Sequence, residues 1–483
     1  MAGLGSQIAR LARHSAVYGV GGLVSRFAAV LLLPLYTRYL TPTDYGAVET
    51  LVALMAILAT ILRLGIASAF FRFYFDSAEP VHRLRVVRTA FWFTMMMATS
   101  GLIAGLVFAG QISEALFGSD GPATLVRAAF VLLWAQMNFE QITALFRVEE
   151  RSTAFVAASL VNLAITVAAT VLFVVVLDWG ATGVVVGNFT GTLVVYAALL
   201  AYRRAQLGLT LDRPLLRKMN RFGLPLVPSM LALWLLTFGD RFFLLKLTNT
   251  EEVGLYSIGS RIASAMVLLL TAFRAAWPAF AYSIEEDREA KRAYAYVLTY
   301  LLFIASWMAL ALGLLAPWLV RLLTTPDFYE SSKVVAPLAF GGVAFGGFIV
   351  VSIALGRTKR TQFNWVVTGA AAAVSVTLNL LLIPQYGIVG AAVANVCAFT
   401  VMFAGITWWS QRVFWVPYQW RRVVTAVAVA VGLTVGGKAL DVALPLAIAV
   451  VVVYPLLLWP LRFYLPAERT WLRRRFRQAR TAP

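Results

Sequence analysis

Cysteine, histidine and acid are all scarce in this sequence. The single cysteine, Cys397, excludes an intrachain disulfide. With His14 and His82 as the only histidines, no Cys/His metal-ligand spacing exists, so no metal site is expected. Asp and Glu number 22 against 41 Lys and Arg, a formal net charge of +19. Only 13% of the 483 residues are charged, against about 25% in a soluble protein. That shortage excludes an ordinary water-solvated globule. Basic chains often bind phosphate backbones. Here the cations fall in short segments between apolar runs, where they set membrane orientation instead.

What is present is hydrophobic sequence, at 61% of residues. The stretches 154–177, 298–315, 366–383 and 443–458 are nearly free of charge. About 20 such residues span the hydrocarbon layer as a helix. These runs lack the alternation of barrel strands, so the spanning elements are helical. The expected fold class is an all-α polytopic membrane protein with about 14 transmembrane helices. They lie near 15–39, 46–71, 87–110, 123–146, 154–177, 183–201, 222–247, 254–281, 297–316, 334–355, 363–383, 389–409, 423–440 and 444–460. The first is interrupted by Arg26 and lacks a small-residue cleavage site after it, so it reads as a retained helix. Counted over alternate loops, about thirty of the 41 cations fall on one side, including the run Arg473–Arg474–Arg475. The expectation is a membrane protein with both termini cytoplasmic and an even number of helices.

The two halves resemble each other. Leu40-Thr41-Pro42-Thr43-Asp44-Tyr45-Gly46 is followed 207 residues later by Leu247-Thr248-Asn249-Thr250-Glu251-Glu252-Val253-Gly254, with one residue inserted before the glycine. Trp179-Gly180-Ala181-Thr182-Gly183, with Asn188 beyond, matches Tyr386-Gly387-Ile388-Val389-Gly390 and Asn395 at the same offset of 207. Six helices per unit give two copies inserted in the same sense, a parallel repeat forming two lobes around a cavity. The expected organisation is an N-lobe over 1–201, a cytoplasmic linker over 202–221 and a C-lobe over 222–410. The last two helices and a basic tail occupy 411–483.

Ionisable groups within membrane helices are costly and mark function. Five arginines lie at depth: Arg26, Arg63, Arg241, Arg261 and Arg274. On predicted helices 1, 2, 7 and 8 they are candidates for binding an anionic substrate, because the guanidinium fork suits a diphosphate. Snorkelling toward the interface is the plainer reading for Arg63 and Arg241. Asp240, Glu140 and Glu49 are the acidic candidates. A carboxylate in a cavity could carry a coupling H⁺ or Na⁺, or could simply pair with an arginine. Asp240 and Arg241 are adjacent and do not face each other on a helix, so the two could bond to different helices. Pro34, Pro225, Pro228 and Pro278 break helices where moving parts would need it.

Three segments carry a family resemblance. The first is Ser25-Arg26 with Leu31 through Pro42 and Asp44-Tyr45-Gly46. The others are Gly223-Leu224-Pro225-Leu226-Val227-Pro228-Ser229 with Asp240-Arg241, and Tyr386-Gly387-Ile388-Val389-Gly390. Together they resemble the bacterial polysaccharide (O-antigen and capsule repeat-unit) flippases. These belong to the multidrug/oligosaccharidyl-lipid/polysaccharide exporter superfamily. The resemblance implies a non-enzymatic flippase that translocates an undecaprenyl-diphosphate-linked oligosaccharide by alternating access, with ion coupling and no cofactor. It also implies membrane lipids and polysaccharide-assembly machinery as partners, with no nucleic acid. Arg26 matches the serine-arginine of the family's first helix and is thereby implied in diphosphate binding. A lipid II flippase and a multidrug exporter of the same superfamily are the alternatives. A membrane-embedded glycan polymerase or ligase would need acidic residues on sizeable outward loops. The longest such segment, 317–333, holds only Asp327 and Glu330.

Overall fold

The sequence motif that opens each repeat is helix-capping chemistry. In the computed structural model, which describes residues 30, 32–119, 121–358, 360 and 362–466, α1 (Leu33–Tyr39) ends just before Thr41. Thr41 then caps α2 (Pro42–Arg63). Its hydroxyl accepts from the Asp44 backbone N–H at 3.1 Å, and its own N–H donates to the Asp44 carboxylate at 3.1 Å. Two otherwise orphaned donors are thus satisfied reciprocally, and Pro42 sits at the first position, where no N–H is needed. The second copy uses an amide. Asn249 accepts from the Glu252 N–H at 2.9 Å ahead of α11 (Thr250–Ala263).

The two glycines closing these motifs touch each other. A Cβ on Gly46 would lie 1.9 Å from the Thr250 carbonyl oxygen, and one on Gly254 would lie 2.0 Å from that of Pro42. Thr250 is 208 residues after Pro42, and Gly254 is 208 after Gly46. The contact is therefore reciprocal, as it is around a local twofold axis. Only residues without a side chain let two backbones come this close. The second repeated motif behaves alike: Gly180 and Gly387 share a left-handed backbone, φ +50° and +52°. Gly387 interrupts the long element α15 (Gln362–Val413), so residues 362–386 and 388–413 are two helices.

The chain divides into two compact units. The first runs to Ile258 and adds Leu323–Glu330 and Val376–Ala391. It contains α3 (Ile66–Tyr74), α4 (Pro80–Val107), α5 (Ala109–Phe117), α6 (Ala123–Val148) and α7 (Ser152–Val171). Next come α8 (Gly180–Leu207), α9 (Arg213–Gly223) and α10 (Val227–Leu247). Ile66, Phe70, Val86, Phe91, Leu145 and Met219 are among its core residues. Gly183, Gly187 and Gly191 repeat every fourth residue on α8 and lie against Phe173, Thr170 and Thr166. This is close packing without a hydrophobic drive between helices.

The arginine-rich loops of this unit gather at one end. Arg203 forks onto Glu149 at 2.7 and 3.1 Å, Arg88 donates to the Gln206 carbonyl at 3.1 Å, and Trp92 donates to that of Gly208 at 2.6 Å. Thr325 donates to the Thr37 carbonyl, Lys246 to that of Ala115, and the Ile388 N–H to the Glu252 carboxylate. These contacts join loops and helix ends that alternate along the chain with the basic ones.

The second unit holds α12 (Ala265–Ser283), α13 (Asp287–Leu323) and α14 (Ser332–Arg357). The late helices α16 (Trp420–Ala439) and α17 (Leu444–Leu457) pack on α13 through Leu310, Leu314, Ala426, Tyr454 and Phe463. Tyr454 donates to the Ala426 carbonyl at 2.9 Å and Trp307 to that of Val451 at 2.7 Å.

Ten helices among the described residues are long and apolar enough to cross a membrane. The difference from the expected number has identifiable sources. Residues 362–413 count once although Gly387 divides them. α6 has 26 residues but carries four polar or charged side chains close together, Gln136, Asn138, Glu140 and Gln141. α17 has 14 residues, about 21 Å at 1.5 Å each. The first predicted helix lies mostly outside the described residues, and so do Arg26 and the tail beyond residue 466. Predicted helices 2 and 8 are each broken, at Leu64–Gly65 and at Ser264, where a continuous helix was expected. At the first break Leu64 and Gly65 adopt φ +45° and +74°, which an uninterrupted helix does not permit.

Candidate functional site

Asp240 and Arg241 sit side by side on α10, and a helix turns about 100° between neighbours. Each side chain therefore goes its own way. The Asp240 carboxylate accepts from the Tyr256 hydroxyl on α11 and, at 3.0 Å, from the Asn379 amide. Arg241 turns to α2, its guanidinium 3.6 Å from Glu49. It also donates to the Thr237 carbonyl at 3.3 Å and lies over the rings of Phe238 and Tyr256, at 5.3 and 5.9 Å from their centroids. All five polar residues are buried, Asn379 fully and Arg241 to 6% exposure. Such a set is tolerated in low dielectric because each charge has an oppositely charged or hydrogen-bonding partner, although the Arg241 Nε itself has no acceptor among the described residues.

A second pair lies elsewhere in the same unit. Arg63, at the end of α2, donates to Glu140 on α6 at 2.7 Å. Gln136, one turn earlier, reaches the other carboxylate oxygen at 3.3 Å. The side chains are 21% and 43% exposed, so this pair is open where the first is sealed.

Of the predicted site residues, the structure thus joins Arg241 with Glu49 and Arg63 with Glu140. Asp240 is held by two groups that sequence reasoning did not single out, Tyr256 and Asn379. Asn379 carried a signal, since it is an amide within the apolar run 366–383 and must find a partner there. Tyr256 carried none. Arg261, half-buried on the last turn of α11, and Arg274, exposed on α12, belong to the second unit. Among the described residues no group of three His, Cys, Asp or Glu could hold a metal ion.

This helical fold is similar to that of solved transporters of the MOP superfamily. It matches the lipid II flippase MurJ in its inward closed conformation with TM-score 0.73 at 14% identity, over 92% of this chain and 99% of that one. An inward-facing multidrug resistance MATE transporter matches at 0.66 and 15% identity, over 85% and 95%. A MOP-superfamily transporter from Pyrococcus furiosus, described by a binding pocket of reverse polarity, matches at 0.62 and 15%, over 83% and 95%. No curated protein matches in sequence. A family model, however, matches residues 35–333, and the chain belongs to that family, the polysaccharide biosynthesis proteins. The family is one of polysaccharide biosynthesis, and the fold is that of a multi-pass membrane protein.

Proposed function

We propose that this protein moves an undecaprenyl-diphosphate-linked oligosaccharide from the inner to the outer leaflet of the bacterial plasma membrane by alternating access. The observation that carries the reading is the polysaccharide-biosynthesis family match over residues 35–333 of a chain with a MOP transporter fold. The basic bias of the charge at depth supports an anionic cargo such as a diphosphate. In this reading fourteen helices form two six-helix lobes, 1–201 and 222–410, joined by the linker 202–221. The late helices and tail occupy 411–483, and both termini are cytoplasmic. The reciprocal contact of Gly46 and Gly254 supports the parallel repeat, because it relates equivalent residues by a local twofold.

Arg26 and Arg63 bind the diphosphate, and Arg261 and Arg274 of the second unit are further candidate anion ligands. Arg241 supports the site through Glu49. Asp240 is the residue through which H⁺ or Na⁺ would couple, and Glu140 is the carboxylate that Arg63 leaves when the anion arrives. A polysaccharide polymerase or its assembly machinery consumes the delivered lipid-linked glycan.

The test is reconstitution. Purified protein in proteoliposomes should expose a labelled polyprenyl-diphosphate oligosaccharide to an impermeant reagent outside, and should move neither lipid II nor a cationic drug at a comparable rate. Arg26→Ala should abolish the movement with protein still in the membrane, and Arg26→Lys should restore it only in part, because an ammonium lacks the fork. Equal transport of lipid II would make this a lipid II flippase instead. That reading draws on a fold likeness spanning 99% of the MurJ chain.

A further inference from the structure

We propose that the basic face of α9 is a docking site for anionic phospholipid headgroups. The inference rests on the chain lying in a bilayer and not on which glycan it moves. Arg213, Arg217 and Arg221 recur every fourth residue, so they form one row about 12 Å long on a single face. All three are exposed. With Leu216, Asn220 and Leu224 they line an open depression of about 560 Å³ that contains no carboxylate. The nearby Asp212 is already engaged, accepting from the Leu215 N–H at 2.9 Å with its other oxygen 3.8 Å from Arg85.

The opposite face fixes the helix on the bundle. Met219 is fully buried and Leu215 packs against the core containing Phe70 and Phe91, with Leu216 at the border between the two faces. The far end is pinned by backbone contact, since a Cβ on Gly223 would lie 2.8 Å from the Gly65 carbonyl group. The cationic row therefore cannot roll inward. Around it, apolar side chains stand outside the fold: Leu209 is 88% exposed, Leu224 53% and Phe222 42%. A short helix anchored on one face, cationic on the other and fringed by exposed apolar groups is built to lie in the headgroup layer.

Charge complementarity selects the occupant. A free phosphate would engage one or two guanidiniums, whereas a row this long accepts several headgroups side by side, with the apolar fringe in the acyl region. The experiment uses the full chain, purified and delipidated in detergent, then titrated with phosphatidylglycerol or phosphatidylcholine of the same acyl chains. Retained lipid is counted by native mass spectrometry. Wild type should hold phosphatidylglycerol preferentially. Arg217→Gln/Arg221→Gln should weaken that binding about 25-fold, about fivefold per charge at about 1 kcal/mol each. Arg217→Lys/Arg221→Lys should stay within about threefold of wild type, since headgroup attraction reads charge. The control is Arg288→Gln/Arg292→Gln, beside Glu285, Glu286, Asp287 and Glu289, and it should change little. The proposal is overturned if the α9 variant holds phosphatidylglycerol like wild type, or if the control loses as much. It also falls if inorganic phosphate displaces the lipid at equal concentration, which would mark a free-phosphate site.

Discussion

Two charge pairs in the first unit use the same chemistry in opposite surroundings. Glu49 and Arg241 are sealed, with Asp240, Tyr256 and Asn379 completing a buried polar set. Arg63 and Glu140 are closer, at 2.7 Å, yet remain 21% and 43% exposed. Distance alone would rank the second pair as the stronger. Burial reverses the ranking for folding, because removing one member of a sealed pair leaves a charge that nothing can solvate. Exposure reverses it for function. A pair worth only about 0–1 kcal/mol at an accessible site can exchange one partner for an arriving anion. The sealed set holds α2, α10 and α11 together, and the open pair is the one that, on the proposed function, would respond to substrate.

The largest effect is expected at the sealed pair. Arg241→Ala or Glu49→Ala alone should destabilise the protein by about 3–5 kcal/mol, read as a fall in Tm in detergent. Glu49→Gln with Arg241→Met together should recover most of that loss, since no charge is then stranded. A double variant as unstable as either single one would show that packing, rather than charge, holds these helices. A smaller effect is expected from Gly46→Ala. It forces α2 away from the Thr250 carbonyl without touching a charge, and should cost about 1–3 kcal/mol by the same measurement. Unchanged Tm in that variant would mean that the helices separate freely and that the sealed set tolerates movement.

Much of this was legible in the sequence, for reasons tied to particular residues. Long apolar runs specify membrane helices because the bilayer leaves no alternative, and the paired turns Trp179-Gly180 and Tyr386-Gly387 bend the chain at glycines of matching positive φ. That Asp240 and Arg241 would diverge followed from helix geometry alone. The partners did not follow. Glu49 lies 192 positions before Arg241 and Asn379 lies 139 after Asp240, so only the packing of separate helices determines that they meet. Leu64–Gly65 read as part of a continuous helix because Leu favours one, and the left-handed break there is a tertiary effect. Whether Arg63 faced a carboxylate or snorkelled was likewise undetermined until α6 was placed against α2.

The smallest stability effect belongs to the open pair. Arg63→Gln and Glu140→Gln should each shift stability by no more than about 1 kcal/mol, because neither strands a sealed charge. A loss as large as that of Arg241→Ala would erase the distinction between the two pairs.

The most direct test of the account is the initial rate at which proteoliposomes deliver a labelled polyprenyl-diphosphate oligosaccharide to the outer surface. It should be measured for wild type, Arg63→Gln and the Glu49→Gln/Arg241→Met double variant at matched protein levels. Arg63→Gln should keep a wild-type Tm and lose at least about tenfold in rate, since losing one charged partner of a bound anion costs about 2–5 kcal/mol. The double variant, which removes the pair through which Arg241 supports the site, should lose rate by a smaller factor than Arg63→Gln. Wild-type transport by Arg63→Gln would contradict the claim that the open pair receives the substrate's anion.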